Sequence, residues 1–269
     1  MAENTAGNKQ QGARAQLNYH LDDGSPLQIL IDADGIPGKR IDPPLETITI
    51  HLEDVRDSLP VFKDGGLEFT VSPTQVESFE PLENIKAQYD NESEALIKKV
   101  TGASEVVIFD HTIRVDGPGV RPPARHVHGD YNATSALKRL KDVLGEEQAA
   151  QWVESGFGIV NIWRPIVGPV QRAPLAFIDP ATMDEKDWLD IDIVYPDRIG
   201  HIIGLKYSEQ HRWVYWPEMT TDNAVVFNVY SSTGLAPVAH SAADVIGTPK
   251  DAPTRKSIET RCLAKFERS

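Results

Sequence analysis

The second half of the chain consists of short runs rich in apolar and β-branched residues, separated by turns rich in glycine, proline and aspartate. Runs of this length and spacing are typical of strands joined by tight turns. The candidate strands are residues 158–166, 204–207, 213–216, 224–230, 237–240 and 257–266. Strands bury their apolar faces by packing sheet on sheet or by closing into a barrel. The sequence therefore predicts a mainly β fold.

The first half of the chain adds helices and further strands to this β core. Residues 46–52 and 106–115 are rich in β-branched side chains, which favours strands. Apolar residues recur with a period near 3.6 over residues 85–100, and Gly102 follows where a helix stop is expected. Two further short helices are predicted, at residues 136–144 and 146–155. We therefore expect helices that flank the β core.

The domain organisation predicted from the sequence is simple. Residues 1–14 are small and polar, which predicts a disordered tail. Residues 15–269 contain neither an internal repeat nor a linker-like segment, so they are predicted to form one domain.

Composition excludes several classes of function. The 40 acidic residues outnumber the 27 basic ones, and the net charge of −13 argues against binding to nucleic acid or to an anionic membrane. The single cysteine, Cys262, rules out an internal disulfide and a thiolate metal cluster. The sequence has no apolar run of membrane-spanning length and no signal peptide at its start. These features predict a cytoplasmic protein that acts on a small molecule, and they leave its oligomeric state open.

Three histidines are each followed two residues later by a carboxylate: His20 with Asp22, His51 with Glu53, and His128 with Asp130. Residues i and i+2 of a strand face the same side, so each pair could present two ligands to one metal ion. His20 runs into a turn and is expected to be solvated. His128 and Asp130 stand just before the β-rich half, where later histidines could complete the site.

Two histidines and one carboxylate form the facial triad that leaves three positions open on Fe(II). The candidates for the second histidine are His201, His211 and His240. Arg255 follows His240 by 15 residues but lies 44 and 54 residues beyond His211 and His201, and Ser257 shares its strand face. A guanidinium fork suits the far carboxylate of a 2-oxo acid that chelates the metal. This pattern favours His128, Asp130 and His240, with Arg261 as a rival carboxylate anchor.

Candidate substrate contacts follow from the same strand periodicity. Asn161 and Trp163 share one face of the strand at 158–166 and could line a cavity. Arg164 faces the other way and is also a candidate substrate contact, and Arg198 is a candidate for binding a substrate carboxylate. Tyr131 directly follows the metal motif and is expected near the pocket.

Longer blocks of the chain resemble the fungal and bacterial hydroxylase/desaturase family of secondary metabolism, which includes gibberellin desaturase-like and cephem hydroxylase-like proteins. The matching blocks are residues 17–19, 109–112, 127–131, 161–166, 195–198, 211–213, 217–219 and 255–259. The chain departs from the family pattern at 240–243, where His-Ser-Ala-Ala replaces the usual His-Thr-Ala-Phe. This departure leaves the predicted metal ligand in place and the substrate open.

The resemblance implies a double-stranded β-helix, the jelly-roll or cupin-like fold, with flanking helices. It implies a non-heme oxygenase that uses Fe(II) with 2-oxoglutarate and dioxygen as cosubstrates. By position it assigns iron to His128, Asp130 and His240, and the 2-oxoglutarate carboxylate to Arg255 with Ser257. Such an enzyme hydroxylates, desaturates or oxidatively cyclises a small molecule, amino-acid-derived substrates included.

Two other functions fit the residues. A cupin-type metalloenzyme would need the metal triad but not Arg255, because it uses no 2-oxo acid. A non-enzymatic β-barrel binding module would need neither, and His128 and His240 would then be incidental.

Overall fold

The computed structural model describes residues 12–117 and 120–267, which form sixteen strands and three α-helices. The strands are β1 Gly12–His20, β2 Leu27–Ile31, β3 Arg40–Ile41, β4 Leu45–Asp54, β5 Leu67–Val71, β6 Glu105–Val115, β7 His128–Gly129, β8 Phe157–Val167, β9 Leu175–Ile178, β10 Trp188–Val194, β11 Ile199–Leu205, β12 Trp213–Tyr215, β13 Asn223–Ser231, β14 His240–Ala242, β15 Asp244–Val245 and β16 Lys256–Lys265. The helices are α1 Phe62–Gly65, α2 Lys86–Thr101 and α3 Ala133–Ser155. Short 3₁₀ turns lie at Ala33–Gly35, Leu82–Asn84, Pro180–Thr182 and Glu185–Asp187.

The strands form two sheets that pack face to face. The larger sheet has the order β15-β1-β4-β12-β9-β14-β7-β11-β10-β2-β3, and the smaller has the order β5-β13-β8-β16-β6. A single apolar cluster fills the space between them, where Phe177 of the larger sheet meets Phe227 of the smaller sheet with ring centroids 5.0 Å apart. The predicted β core is therefore a two-layered one.

Strand β8 shows how side-chain alternation builds both faces of the smaller sheet. Phe157 and Trp163 point into the space between the sheets, whereas Val160 and Ile162 point outward and pack in a cluster with Ile97 of α2. Because both faces are covered, most residues of the strand are apolar, and they do not alternate with polar ones. Its odd-numbered residues are the ones that reach the interior.

The predicted helices are confirmed. Helix α2 ends at Gly102, which has a φ of 75° and donates its backbone N–H to the carbonyl of Lys98. A residue in this left-handed conformation is the usual helix stop. Helix α3 is interrupted at Gly145, so its two parts match the two short helices predicted there.

The strand prediction needs several corrections. The expected strand at 237–240 begins only at His240, and β9 and β10 were not predicted. The last three residues of the predicted tail, 12–14, belong to β1 because their backbone groups pair with β4. Residues 1–11 lie outside the described residues. The prediction of one domain stays a prediction, and no helix in the described ranges is long and apolar enough to cross a membrane.

Candidate metal centre

His128 and His240 meet because their strands are neighbours in the larger sheet. Strands β7 and β14 pair antiparallel with these two residues directly opposite, and the ring centroids lie 4.4 Å apart. Nδ1 of His128 lies 2.8 Å from the carbonyl oxygen of His126, and Nδ1 of His240 lies 3.1 Å from that of Val238. With Nδ1–H donating to these carbonyls, Nε2 of each ring is left as a lone-pair donor for a metal.

Asp130 completes a set of three possible metal ligands. One ligand atom from each of His128, Asp130 and His240 lies within 4.8 Å of the others, and Oδ1 of Asp130 is 3.7 Å from Nε2 of His128. Burial lowers the pKa of His128 well below its ordinary value, so the imidazole is neutral. Two imidazoles and one carboxylate suit Fe(II) and related divalent ions.

The second oxygen of Asp130 is held by the smaller sheet. Oδ2 accepts a 2.7 Å hydrogen bond from Nδ2 of Asn161 and lies 3.8 Å from Nε of Arg261. Burial alone would raise the pKa of Asp130, but the charge of Arg261, the two imidazoles and the Asn161 bond together hold it well below its usual range. Asn161, predicted as a substrate contact, contacts the candidate metal ligand, and its role in substrate binding stays a prediction.

Arg261 is fully engaged with protein carboxylates. Its Nη1 lies 2.5 Å from Oδ2 of Asp110, and its Nη2 donates to Glu259. Burial would lower the pKa of Arg261, but the charges of Glu259, Asp130 and Asp110 raise it. This arrangement leaves Arg261 a poor partner for a further carboxylate.

Arg255 has the opposite surroundings. It is only 3% exposed, its Nη1 donates to the carbonyl of Ala173 at 2.5 Å, and its Nε and Nη2 each lie 3.2 Å from Oγ of Ser257. No ion pair among the described residues includes Arg255. Burial lowers its pKa to about 9, so the side chain remains a cation at neutral pH. A buried cation without a carboxylate partner is costly and points to an anionic ligand.

Arg255 and the two histidines line one small cavity. It is lined by Arg114, Ala124, His128, Leu175, His240, Ala242, Arg255 and Glu259. Of its charged groups, Arg114 and Arg255 are cations and Glu259 is paired with Arg261. The balance of charge favours an anion between Arg255 and the candidate metal ligands.

The remaining predicted substrate contacts lie in different surroundings. Trp163 is buried, with the Arg255 guanidinium 4.9 Å from its ring centroid. Arg164 is buried on the outer face of β8 and donates to the carbonyls of Ser72 and Thr221, and its predicted substrate role stays a prediction. Tyr131 is half-buried against the central apolar cluster, next to Asp130 in the chain.

Arg198 lies away from the cavity, in the turn between β10 and β11. Its side chain is 64% exposed, stacks over the ring of Tyr195 and lies 3.6 Å from Asp197. It contacts none of the three candidate ligands, and its predicted role in substrate binding stays a prediction.

His20 was expected to be solvated, but the structure buries it. Its ring lies 5.5 Å from that of His126, which is in turn 4.8 Å from that of His128. The ring fits because Gly204, paired with His128, has no side chain: a Cβ there would lie 2.4 Å from Cδ2 of His20. Neither ring nitrogen of His20 has a hydrogen-bond partner among the described residues. A single sequence carries no signal of such a contact between distant segments.

We expect His20 to make the stability of the protein sensitive to acid. Burial lowers the pKa of His20 from its ordinary 6.5 to about 4. Below pH 6.5 the unfolded chain binds a proton that the folded chain does not, so the free energy of unfolding falls as the pH drops from 6.5 toward 4. The loss at pH 5 is about 2 kcal/mol. Urea unfolding at pH 7 and pH 5 measures it.

The variant His20→Gln should show a smaller difference in stability between the two pH values. The control is His201→Gln, since His201 is exposed on the β10–β11 hairpin. An unchanged pH dependence in His20→Gln would contradict the prediction.

Comparisons with known proteins identify the family of the chain. A family model described as an oxidoreductase/YMDC permease-like domain matches residues 17–265. The alpha-ketoglutarate-dependent dioxygenase phiK of Fungal sp. (strain ATCC 74256) is 30% identical over 240 residues, covering 82% of this chain and 85% of that protein. The Fe(II)/2-oxoglutarate-dependent dioxygenase nvfI of Aspergillus novofumigatus (strain IBT 16806) is 32% identical over 219 residues, covering 77% and 78%.

A solved structure of an enzyme of the same class is similar to this chain. The iron and alpha-ketoglutarate-dependent endoperoxidase NvfI superimposes with a TM-score of 0.85 at 25% identity, over 96% of this chain and 99% of that one. The fold is thus the jelly-roll of non-heme iron oxygenases, as the resemblance implied. The chain belongs to this oxidoreductase family, and it is an Fe(II)/2-oxoglutarate-dependent oxygenase of secondary metabolism that acts on a small molecule.

Proposed function

We propose that His128, Asp130 and His240 hold the iron and that Arg255, supported by Ser257, binds the far carboxylate of 2-oxoglutarate. The observation that carries this proposal is the buried Arg255, which has no carboxylate partner among the described residues and shares a cavity with both histidines. A guanidinium fork binds a carboxylate through two parallel hydrogen bonds. Arg255 is favoured over Arg261 as the anchor because Asp110 and Glu259 already pair with the Arg261 guanidinium.

The side chains around the cavity have separate tasks in this proposal. His126 and Val238 carbonyls hold the two imidazoles in the tautomer that leaves Nε2 free. The oxygen of Ser257 orients the Arg255 fork, and Trp163 packs against its face, which keeps water from the buried cation. Bound iron would supply the activation of dioxygen, coupled to oxidative decarboxylation of 2-oxoglutarate to succinate and carbon dioxide. The protein is proposed to oxidise its small-molecule substrate in the cytoplasm.

Anaerobic titration tests the proposal. The purified protein should bind Fe(II), and addition of 2-oxoglutarate should produce the weak visible absorption of the metal chelate. A cupin-type enzyme without a 2-oxo acid would bind metal but give no such band. A binding module would neither bind metal nor give the band. Metal binding without the band, or the absence of both, would overturn the proposal.

A further inference from the structure

The two oxygens of Asp130 have unlike surroundings. Oδ1 lies toward Nε2 of His128, and no side-chain hydrogen bond of the described residues ends on it. Oδ2 accepts the amide N–H of Asn161 and lies beside the guanidinium of Arg261. One oxygen is thus left for a metal ion, and the other is held by the protein.

The groups that hold Oδ2 come from a single row across the smaller sheet. Arg261 of β16 is paired in register with Asn161 of β8 on one side and with Asp110 of β6 on the other. Directly opposed residues project from the same face, so all three point into the space between the sheets. Asp110 and Glu259 in turn hold the Arg261 guanidinium in place. The row forms a preorganised support for Asp130.

The orientation of the Asn161 amide follows from the same contact. Asn161 is completely buried, and its Oδ1 has no hydrogen-bond partner among the described residues. Flipping the amide would bring that oxygen against the Asp130 carboxylate, which carries a negative charge and accepts only. The N–H therefore has to face Asp130, at the cost of an unpaired carbonyl.

We propose that Asn161 and Arg261 are positioning residues that make Asp130 a ligand through Oδ1 alone. This inference rests on the proposed function. A chelating 2-oxo acid and dioxygen together need three open positions on the metal, and the facial triad leaves three. A carboxylate that turned both oxygens to the metal would take one of them. Asn161 and Arg261 prevent this turn, one by a hydrogen bond and the other by charge.

The test compares Asn161→Leu with Asn228→Leu. Leucine keeps the approximate size of asparagine and removes the donor. Asn228 is a matched control because it is also buried, lies on the neighbouring strand β13 and donates instead to the carbonyls of Leu235 and Ala236. We measure the affinity of each Mn(II)-loaded variant for 2-oxoglutarate, and the visible band of the anaerobic Fe(II) chelate.

Asn161→Leu should bind 2-oxoglutarate roughly 10-fold or more weakly and give an altered band. Loss of a group that hydrogen-bonds to a metal ligand commonly has an effect of about this size. Asn228→Leu should match the wild type in both, and Asn161→Gln, which keeps an N–H donor, should recover part of the loss. A wild-type affinity and band in Asn161→Leu would overturn the inference and leave the proposed function standing. If Asn161→Leu fails to fold, Arg261→Gln decides by the same two measurements. No band in the wild type would instead overturn the proposed function, and this inference with it.

Discussion

Replacing His240 by alanine is expected to abolish the binding of divalent metal. His240 lies directly opposite His128 across the β7–β14 pair, and its Nδ1 is occupied by the carbonyl of Val238, which leaves one nitrogen for the ion. Loss of a residue that hydrogen-bonds to a metal ligand lowers metal affinity about 10- to 100-fold, so loss of a ligand itself should lower it further. Mn(II) binding followed by electron paramagnetic resonance measures the change.

His211→Ala and His201→Ala are the controls, because the sequence pattern also allowed these residues as the third ligand. His211 lies 3.1 Å from both the Tyr19 hydroxyl and Asp187, and His201 lies 2.9 Å from Asp192. Both variants should bind Mn(II) like the wild type once folding is verified by circular dichroism. Metal binding that survives in His240→Ala and disappears in His211→Ala would refute the proposed ligand set.

The candidate metal ligands could be predicted because local rules determine their orientation. Strand alternation sets His128 and Asp130 on one side, and the arginine that follows His240 in the chain singled out that histidine among three. Alternation also predicted that Trp163 and Arg164 face opposite sides of their strand, and the structure confirms this. Patterns with a period of two survive from sequence to structure because a strand has no other way to arrange its side chains.

The roles of Asn161 and Arg261 could not be predicted, because they depend on register between strands far apart in the chain. Asn161 meets Arg261 across 100 residues, and a slip of one residue would turn each to the opposite face. The burial of His20 depends in the same way on Gly204, which leaves a gap on a remote strand. The strand at Leu175–Ile178 was missed for a simpler reason: a four-residue apolar run has no periodicity to detect.

Replacing Arg255 by methionine should weaken the binding of 2-oxoglutarate on the order of a hundredfold, while metal affinity stays unchanged. The guanidinium is buried, and Ser257 and Ala173 orient it. Removing one partner of a buried, hydrogen-bonded charge pair typically costs about 2–5 kcal/mol, because the other charge is then desolvated without compensation. Calorimetric titration of the Mn(II)-loaded protein with 2-oxoglutarate measures the loss. Arg255→Lys should bind 2-oxoglutarate with an affinity between those of the wild type and Arg255→Met, since lysine keeps the charge without the planar fork.

Arg164→Met provides the matched control for this experiment. Arg164 is as deeply buried as Arg255 and also donates to backbone carbonyls, but it lies on the outer face of β8. Its replacement should reduce stability without changing the affinity for 2-oxoglutarate. Arg261→Met separates the two candidate anchors: through Asp130 it should disturb the metal as well as the cosubstrate, whereas Arg255→Met should disturb the cosubstrate alone. Full cosubstrate affinity in Arg255→Met would transfer the anchoring role away from Arg255, and an isolated loss in Arg261→Met would assign it to Arg261.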